Sequence, residues 1–366
     1  MYHHYTYIPS YILKNIAKSD HEDAKKIAQD TLKQGTVVRA ERKDLSNKLD
    51  IATITGSRST EIGQPSFATF GITKIAEKSG SRVVYDCEHK WELTNRKEVR
   101  GEGDPETPND AVNAAYEFAG SVRDLFQSIM GRKSIDNLGM NLVLNIHYGE
   151  KYMNAFWDGS QMIFGDGDGE IFSNFTKSPD VIAHELAHGI TQFTANLKYE
   201  GQSGALNEHF SDVFGTFIVQ KIKSQTAETA DWLIGDEIMG PELFGEALRS
   251  MREPGTAYDN QYMGKDTQPG HMDQYYSGPE DNQGVHTNSG IPNKAFYLTA
   301  MDIGTENAAK IWYHGLQNLF PNATFNDAYN VITTSARILT KFKKVPDGST
   351  QVVRKAFKEV GLPRNK

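Results

Sequence analysis

The residues best suited to chemistry lie between Ser178 and Asp212, where S-P-D-V-I-A-H-E-L-A-H-G is followed by G-A-L-N-E-H-F-S-D-V-F-G. Ser178 suits a helix cap and Pro179 the first helical turn, where a missing N–H costs nothing, so His184, Glu185 and His188 fall well inside that helix. At 3.6 residues per turn, residues four apart share a face, and His184 and His188 can turn both imidazoles toward one ion. Glu185 is rotated off that line, free to act on whatever fills the ion's open position. A hydrolytic zinc site takes three protein ligands and leaves the fourth place to water, whose pKa falls to about 7. Glu208, on a second predicted helix, is the natural third ligand. Asp212, one turn later, can reach the far nitrogen of a histidine and fix its tautomer. Carboxylates set among Ala205, Leu206, Phe210, Val213 and Phe214 need a partner, and a metal supplies it.

The elements that must position these groups read as a β-rich half followed by a helical half, an α+β chain with its cleft between the two. Short β-like runs (82–85 and 142–146) flank one helical stretch, Asp110 to Met130, whose expected buried stripe is Ala111, Ala114, Ala115, Phe118, Val122, Leu125 and Phe126. Turn-rich strands occupy 151–176. Helical periods then cover 178–190, 204–221, 290–302, 306–319, 325–340 and 349–360. Ahead of all this, residues 20–34 form an amphipathic helix with Ala24, Ile27, Ala28, Thr31 and Leu32 on its stripe and Gly35 as its stop. Residues 8–13 are an apolar patch that Pro9 keeps from being simple helix. Residues 43–80 show no sustained period and read as a linker.

With 366 residues, 38% of them hydrophobic, the chain can bury a sizeable core. A net charge of -8 with no basic stripe argues against nucleic acid as a partner. No apolar run is long enough to span a membrane, and the N-terminus lacks the pattern of a secretory signal. The expected location is therefore either outside the cell by a non-classical route or the cytoplasm. Cys87 is the only cysteine, so no intramolecular disulfide can form.

From about Arg82 to the C-terminus the chain resembles the thermolysin-like zinc metallopeptidases, the gluzincins in which a distant glutamate completes an HExxH site. That resemblance implies a two-domain α+β fold, β-rich then helical, and hydrolysis of internal peptide bonds. It implies zinc on His184, His188 and Glu208, Glu185 as general base, and Asp212 supporting His184. In D-N-Q-G-V-H it implies that His286 stabilises the transition state and that Asp281 orients it, with Tyr199 sharing the oxyanion. Asn154 and Ala155 match the edge strand that binds substrate backbone, and Arg249 the arginine that grips the carbonyl beyond the cut. Phe156 and Trp157 read as core packing. Phe172, Phe175, Val181, Ile234, Ile238 and Leu248 stand where the family lines its main pocket, implying a large apolar residue after the scissile bond. Ala187 replaces a commoner threonine without consequence for ligand geometry.

Calcium is limited by the same comparison. G-D-G-D-G-E at 165–170 is not an EF-hand, because Lys177 stands at the twelfth position from Asp166 where an acid is required, and it reads as a tight turn. Asp180, Asp231 and Asp236 match the family's paired calcium site, and Leu233 offers only a carbonyl. Val219 replaces a bridging glutamate, so at most one calcium is expected.

The N-terminal I-P-S-Y-I-L-K-N-I-A resembles the short propeptides of protealysin-like enzymes. The implied organisation is a propeptide over 1–45, a linker and processing region over 46–80, a β-rich catalytic domain over 81–200 and a helical one over 201–366. The expected partners are protein and peptide substrates and the chain's own propeptide, with a proteinaceous inhibitor compatible. One other class stays open, a zinc-containing binding or scaffold protein with silent machinery, whereas a serine esterase finds no G-x-S-x-G elbow in the chain.

Overall fold

The computed structural model describes residues 6–36 and 80–364. The linker expected over 43–80 lies outside these residues except for Gly80, which begins a turn into the first strand. A five-stranded sheet forms from β1 (Arg82–Asp86), β2 (Lys97–Gly101), β3 (Leu142–Ile146), β4 (Ala155–Trp157) and β5 (Met162–Phe164) in the order β2-β1-β3-β5-β4. β1, β3 and β5 run parallel, with Val84 opposite Leu144 and Leu144 opposite Met162, while β2 and β4 are antiparallel additions. β4 is thus an edge strand, with one side paired to β5 and the other available for a further chain.

One helix crosses between the antiparallel and parallel parts of this sheet. It is α3 (Asp110–Leu125), capped by the Asn109 side chain on the N–H groups of Ala111 and Val112, and it ends in a π-turn over Phe126–Met130. Its buried line is Val112, Ala115, Tyr116, Ala119, Val122 and Phe126, so the expected stripe is correct at Ala115, Val122 and Phe126 but rotated elsewhere. Ala111, Ala114, Phe118 and Leu125 are only half-buried. The rotation has a polar cause. Tyr116 accepts Arg82 on its hydroxyl at 2.9 Å and lies beneath the Arg82 and Arg100 guanidinium groups, and a Cβ at Gly120 would come within 2.2 Å of Arg82 Nη1.

The rest of the catalytic body is helical. α4 (Pro179–Gln192) and α5 (Gly201–Ile222) are buried almost along their whole lengths and pack on each other. α6 (Glu280–Asn288), α7 (Gly290–Ile303), α8 (Thr305–Leu316), α9 (Phe325–Lys341) and α10 (Ser349–Glu359) follow, each within two to four residues of its expected bounds where one was expected. α9 opens with a capping box between Thr324 and Asp327. Phe126, Phe214 and Tyr313 join the two halves, with ring centroids 5.2 Å and 5.9 Å from Phe126.

The N-terminal residues belong to the same core. α1 (Ser10–Ile16) starts directly after Pro9, which ends the extended segment before it and leads into the helix. Residues 22–36 form α2, which passes through the buried Gly35 where a stop was expected. Tyr7, Ile8, Ile12, Leu13, Ile16, Ala24 and Ala28 are continuous with the main apolar core.

Candidate active site

α4 and α5 bring three ligand atoms to one point. His184 Nε2 lies 3.1 Å from His188 Nε2 and 3.4 Å from Glu208 Oε2, and His188 Nε2 lies 3.5 Å from Glu208 Oε1. Donors held on a tetrahedral ion at about 2.0–2.1 Å stand about 3.4 Å apart, so the spacing fits zinc. Among the described residues, His184, His188 and Glu208 are the one such group. The polar balance fits as well. Glu185 Oε1 and Glu208 Oε2 are buried without a hydrogen bond, and a cation together with its water would satisfy them. Burial pushes the His188 imidazole down to about 3, against the pull of Glu208, which leaves it neutral with a lone pair for a metal.

The supporting shell is only partly the expected one. His184 Nδ1 meets Asp212 Oδ1 at 2.9 Å, as the spacing implied. Asp212 is also held by Arg249, through Nη2 at 2.8 Å and Nε at 3.0 Å, and by Asn293 at 2.8 Å. Burial raises the Asp212 carboxyl, but Arg249 and His184 outweigh it and hold it at about 2, so it stays ionised. His188 Nδ1 meets Asn207 Oδ1 at 2.8 Å, a partner the sequence reading missed although Asn207 directly precedes Glu208. The backbone N–H of Trp157 donates to Glu185 Oε2 at 2.9 Å, while the Trp157 side chain packs in the core as expected. Ser178 is the N-cap residue of α4 yet makes no capping bond; its hydroxyl instead lies between Asp180 and Glu237.

His286 enters from α6. Asp281, Asn282, Gln283 and Gly284 adopt left-handed backbone in succession, with φ from 51° to 77°, a costly arrangement for residues other than glycine. This turn aims Asp281 back along the chain. Its Oδ1 meets His286 Nδ1 at 2.6 Å and its Oδ2 accepts the His286 N–H at 2.8 Å. Tyr199 donates its hydroxyl to Glu208 and stands 3.1 Å from His286 Nε2. The three groups thus face one corner of the ligand cluster.

The cleft is filled by the chain's own N-terminal segment. Tyr7 N donates to Ala155 O on the edge strand β4 at 3.1 Å. Asn154 closes a two-bond clasp on Ile8, accepting its N–H at 2.8 Å and donating to its carbonyl at 3.1 Å. The Thr6 carbonyl lies 3.0 Å from His286 Nε2. Farther out, Asn15 bonds Met263 O and Gln34 bonds Tyr148, while Lys14 pairs with Glu280. Arg249 Nη1 has no hydrogen-bond partner, and its guanidinium carbon sits 5.4 Å from the Tyr7 ring centre, with no bond to the Tyr7 carbonyl. Phe172, Phe175, Val181, Ile234, Ile238 and Leu248 are all buried in the core that contains Tyr7.

Asp180, Asp231 and Asp236 line one cavity with Leu233 and Glu237, but among the described residues their side-chain oxygens are not gathered as closely as those of His184, His188 and Glu208. Asp180 Oδ2 accepts the Gly235 N–H at 2.6 Å and the Tyr7 hydroxyl at 3.1 Å. Lys223 supplies a positive charge nearby through Glu237 at 2.8 Å, and burial with the Asp180 and Asp231 charges raises Asp236 to about 6. The 165–170 turn is tight as expected, with Asp168 Oδ1 accepting the N–H groups of Glu170, Ile171 and Phe172.

Comparison with known proteins defines the class. A family profile for the thermolysin metallopeptidase catalytic domain matches residues 20–192, and one for the thermolysin metallopeptidase alpha-helical domain matches residues 195–362. The chain therefore belongs to the thermolysin metallopeptidase family, with its α+β two-domain fold, and is a zinc metalloendopeptidase. Within the family it stands on the protealysin branch. The solved precursor of protealysin, a metalloproteinase from Serratia proteamaculans, superposes with a TM-score of 0.81 at 38% identity, covering 98% of this chain and 100% of that one. The chain is 49% identical over 257 residues to an extracellular metalloprotease of Pectobacterium carotovorum subsp. carotovorum, covering 69% of this chain and 74% of the relative. It is 43% identical over 288 residues to Protease PrtS of a Photorhabdus species, covering 77% and 76%. Among the described residues no helix is long and apolar enough to cross a membrane.

Proposed function

We propose that this endopeptidase is held latent by a propeptide over residues 1–45, whose residues 6–8 lie in the cleft in the register of a substrate, and that a cut within 45–80 releases the catalytic domains 81–200 and 201–366. The observation that carries this reading is the seating of Thr6, Tyr7 and Ile8. An extended strand added to an exposed sheet edge is the usual way to read a peptide backbone. Here Tyr7 N–H takes the Ala155 carbonyl and the Thr6 carbonyl faces His286, so the Thr6–Tyr7 bond stands where a scissile bond belongs. The name of the Pectobacterium relative supports export from the cell.

His184, His188 and Glu208 would hold zinc, which would supply an activated water and polarisation of the scissile carbonyl. Glu185 Oε1 takes the proton from that water and delivers it to the leaving amine, while Trp157 N–H fixes the other oxygen. Asp212 holds His184 in one tautomer, and Asn207 does the same for His188. His286 receives the charge that develops on the carbonyl oxygen, and Tyr199 shares it by turning its hydroxyl from Glu208. Asn154 and Ala155 align the backbone, Arg249 has its Nη1 left to grip the carbonyl beyond the cut, and Phe172, Phe175, Val181 and Leu248 favour a large apolar side chain after the cut. Digestion of casein, with the new N-termini read by mass spectrometry, checks this. Large apolar or aromatic residues at those termini are expected, with all cleavage stopped by a zinc chelator; cuts before small or charged residues would contradict the preference.

His286 acts as a doubly protonated donor, because its Nδ1 faces a carboxylate and its Nε2 a carbonyl. Burial lowers its pKa, but Glu208 and Asp281 outweigh burial and raise it to about 9. Asp281→Asn removes one raising charge, so the donor form is lost at a lower pH. The alkaline fall of kcat/KM in that variant is expected to begin below its position in the native enzyme; an unmoved alkaline limb would show that Asp281 does not set the His286 charge.

A further inference from the structure

The seat of Tyr7 has a polar end. Its side chain is fully buried, its ring stands edge-on to His184 at 5.1 Å between centres, and its hydroxyl reaches Asp180 Oδ2 at 3.1 Å. With Tyr7 seated, Asp180 is 5% exposed. Two hydrogen bonds hold the carboxylate in place. Gly235 donates its N–H to Oδ2 from a left-handed turn at φ 76°, where a Cβ would strike Leu248 at 2.8 Å, and the Ser178 hydroxyl donates to Oδ1. The neighbouring cation, Lys223, is committed to Glu237, and among the described residues none pairs with Asp180. The pocket that accepts the side chain after the scissile bond thus ends in a fixed acceptor with a lone pair to fill.

A purely apolar pocket separates leucine from phenylalanine by size alone and ignores a hydroxyl. A buried acceptor behaves differently, because a ligand without a donor leaves it unpaired, and discrimination is then steep. We propose that Asp180 is a specificity-determining residue that reads a phenolic hydroxyl, so that tyrosine is preferred over phenylalanine and leucine directly after the cleaved bond. The proposal rests on Thr6–Tyr7 marking the substrate register, as argued above. Tyr7 then represents a self-derived copy of the preferred side chain, and its hydroxyl contributes to latency as it would to substrate binding.

The test uses the zinc-loaded enzyme obtained by letting the full chain process itself. Three peptides identical except for Tyr, Phe or Leu after a single cleavable bond are compared by kcat/KM. The Tyr peptide is expected to exceed the Phe peptide by about tenfold or more, the scale of a hydrogen bond to a charged group. In Asp180→Asn the Tyr:Phe ratio is expected to fall toward one. Should that variant not fold, the ratio in the native enzyme decides alone, together with full-length Tyr7→Phe, whose casein activity should appear earlier than that of the native chain. Cleavage of the Phe and Leu peptides at the expected bond, with Tyr no better, overturns the role of Asp180 and leaves the endopeptidase reading intact. Failure to cut any of the three before its variable residue overturns the register itself.

Discussion

Glu185→Gln is expected to leave a folded chain that still binds zinc at native stoichiometry but turns over peptides about 10² to 10⁴ times more slowly, the usual contribution of a positioned general base. Three observations set this expectation. Glu185 is not among the three converging ligands, so its loss does not open the metal site. One of its oxygens is anchored by Trp157 N–H at 2.9 Å, an interaction the amide oxygen of glutamine keeps, while the other is buried with no hydrogen bond. Burial, opposed by His184 and reinforced by Glu208, raises the carboxyl to about 8 without a cation beside it, and a cation on the three neighbouring ligands would favour the ionised form that serves as base. Elemental analysis and single-turnover kinetics on the variant separate the two properties. Loss of zinc together with activity would reassign Glu185 to holding the metal.

His286→Ala is the second large effect, with kcat falling about 10² to 10³ times, the loss typical of removing one oxyanion donor. KM should change less than kcat, because a donor aimed at developing charge acts chiefly in the transition state. Zinc should remain, since His286 Nε2 touches the ligand set only at 3.5 Å from Glu208. Tyr199 cannot replace it fully. Its hydroxyl already donates to Glu208, and His286 is the group seated against the Thr6 carbonyl. Turnover near the native rate would remove His286 from the mechanism.

The metal site was legible because helix geometry makes it local. Two histidines four apart, capped helices and an acid in an apolar sequence fix His184, His188 and Glu208 with few long-range assumptions. Asp212 was legible for the same reason. What stayed hidden depends on groups without a distinctive side-chain signature. Trp157 serves the site through its backbone N–H, which every residue but proline carries. Ser178 sits at the cap position but turns its hydroxyl to Asp180, a choice set by tertiary neighbours. Asn207 could have been found, because an amide one residue before a metal ligand faces the same cluster.

The N-terminal segment was the hardest part to read. Its resemblance to a propeptide placed it near the cleft, but register is a matter of hydrogen bonds to Asn154 and Ala155 that only the assembled sheet edge defines. The rotated stripe of α3 has a similar origin, since Tyr116 is drawn inward by Arg82 and Arg100 from distant sequence.

The central claim is that residues seated in the cleft keep an otherwise competent zinc endopeptidase silent. The direct measurement follows zinc-loaded full-length chain over time, scoring casein cleavage against the fraction of molecules still intact by mass spectrometry. Activity is expected to be absent while the chain is intact and to rise in proportion to cutting within 45–80. Full casein activity from molecules that still carry residues 1–80 would contradict the account.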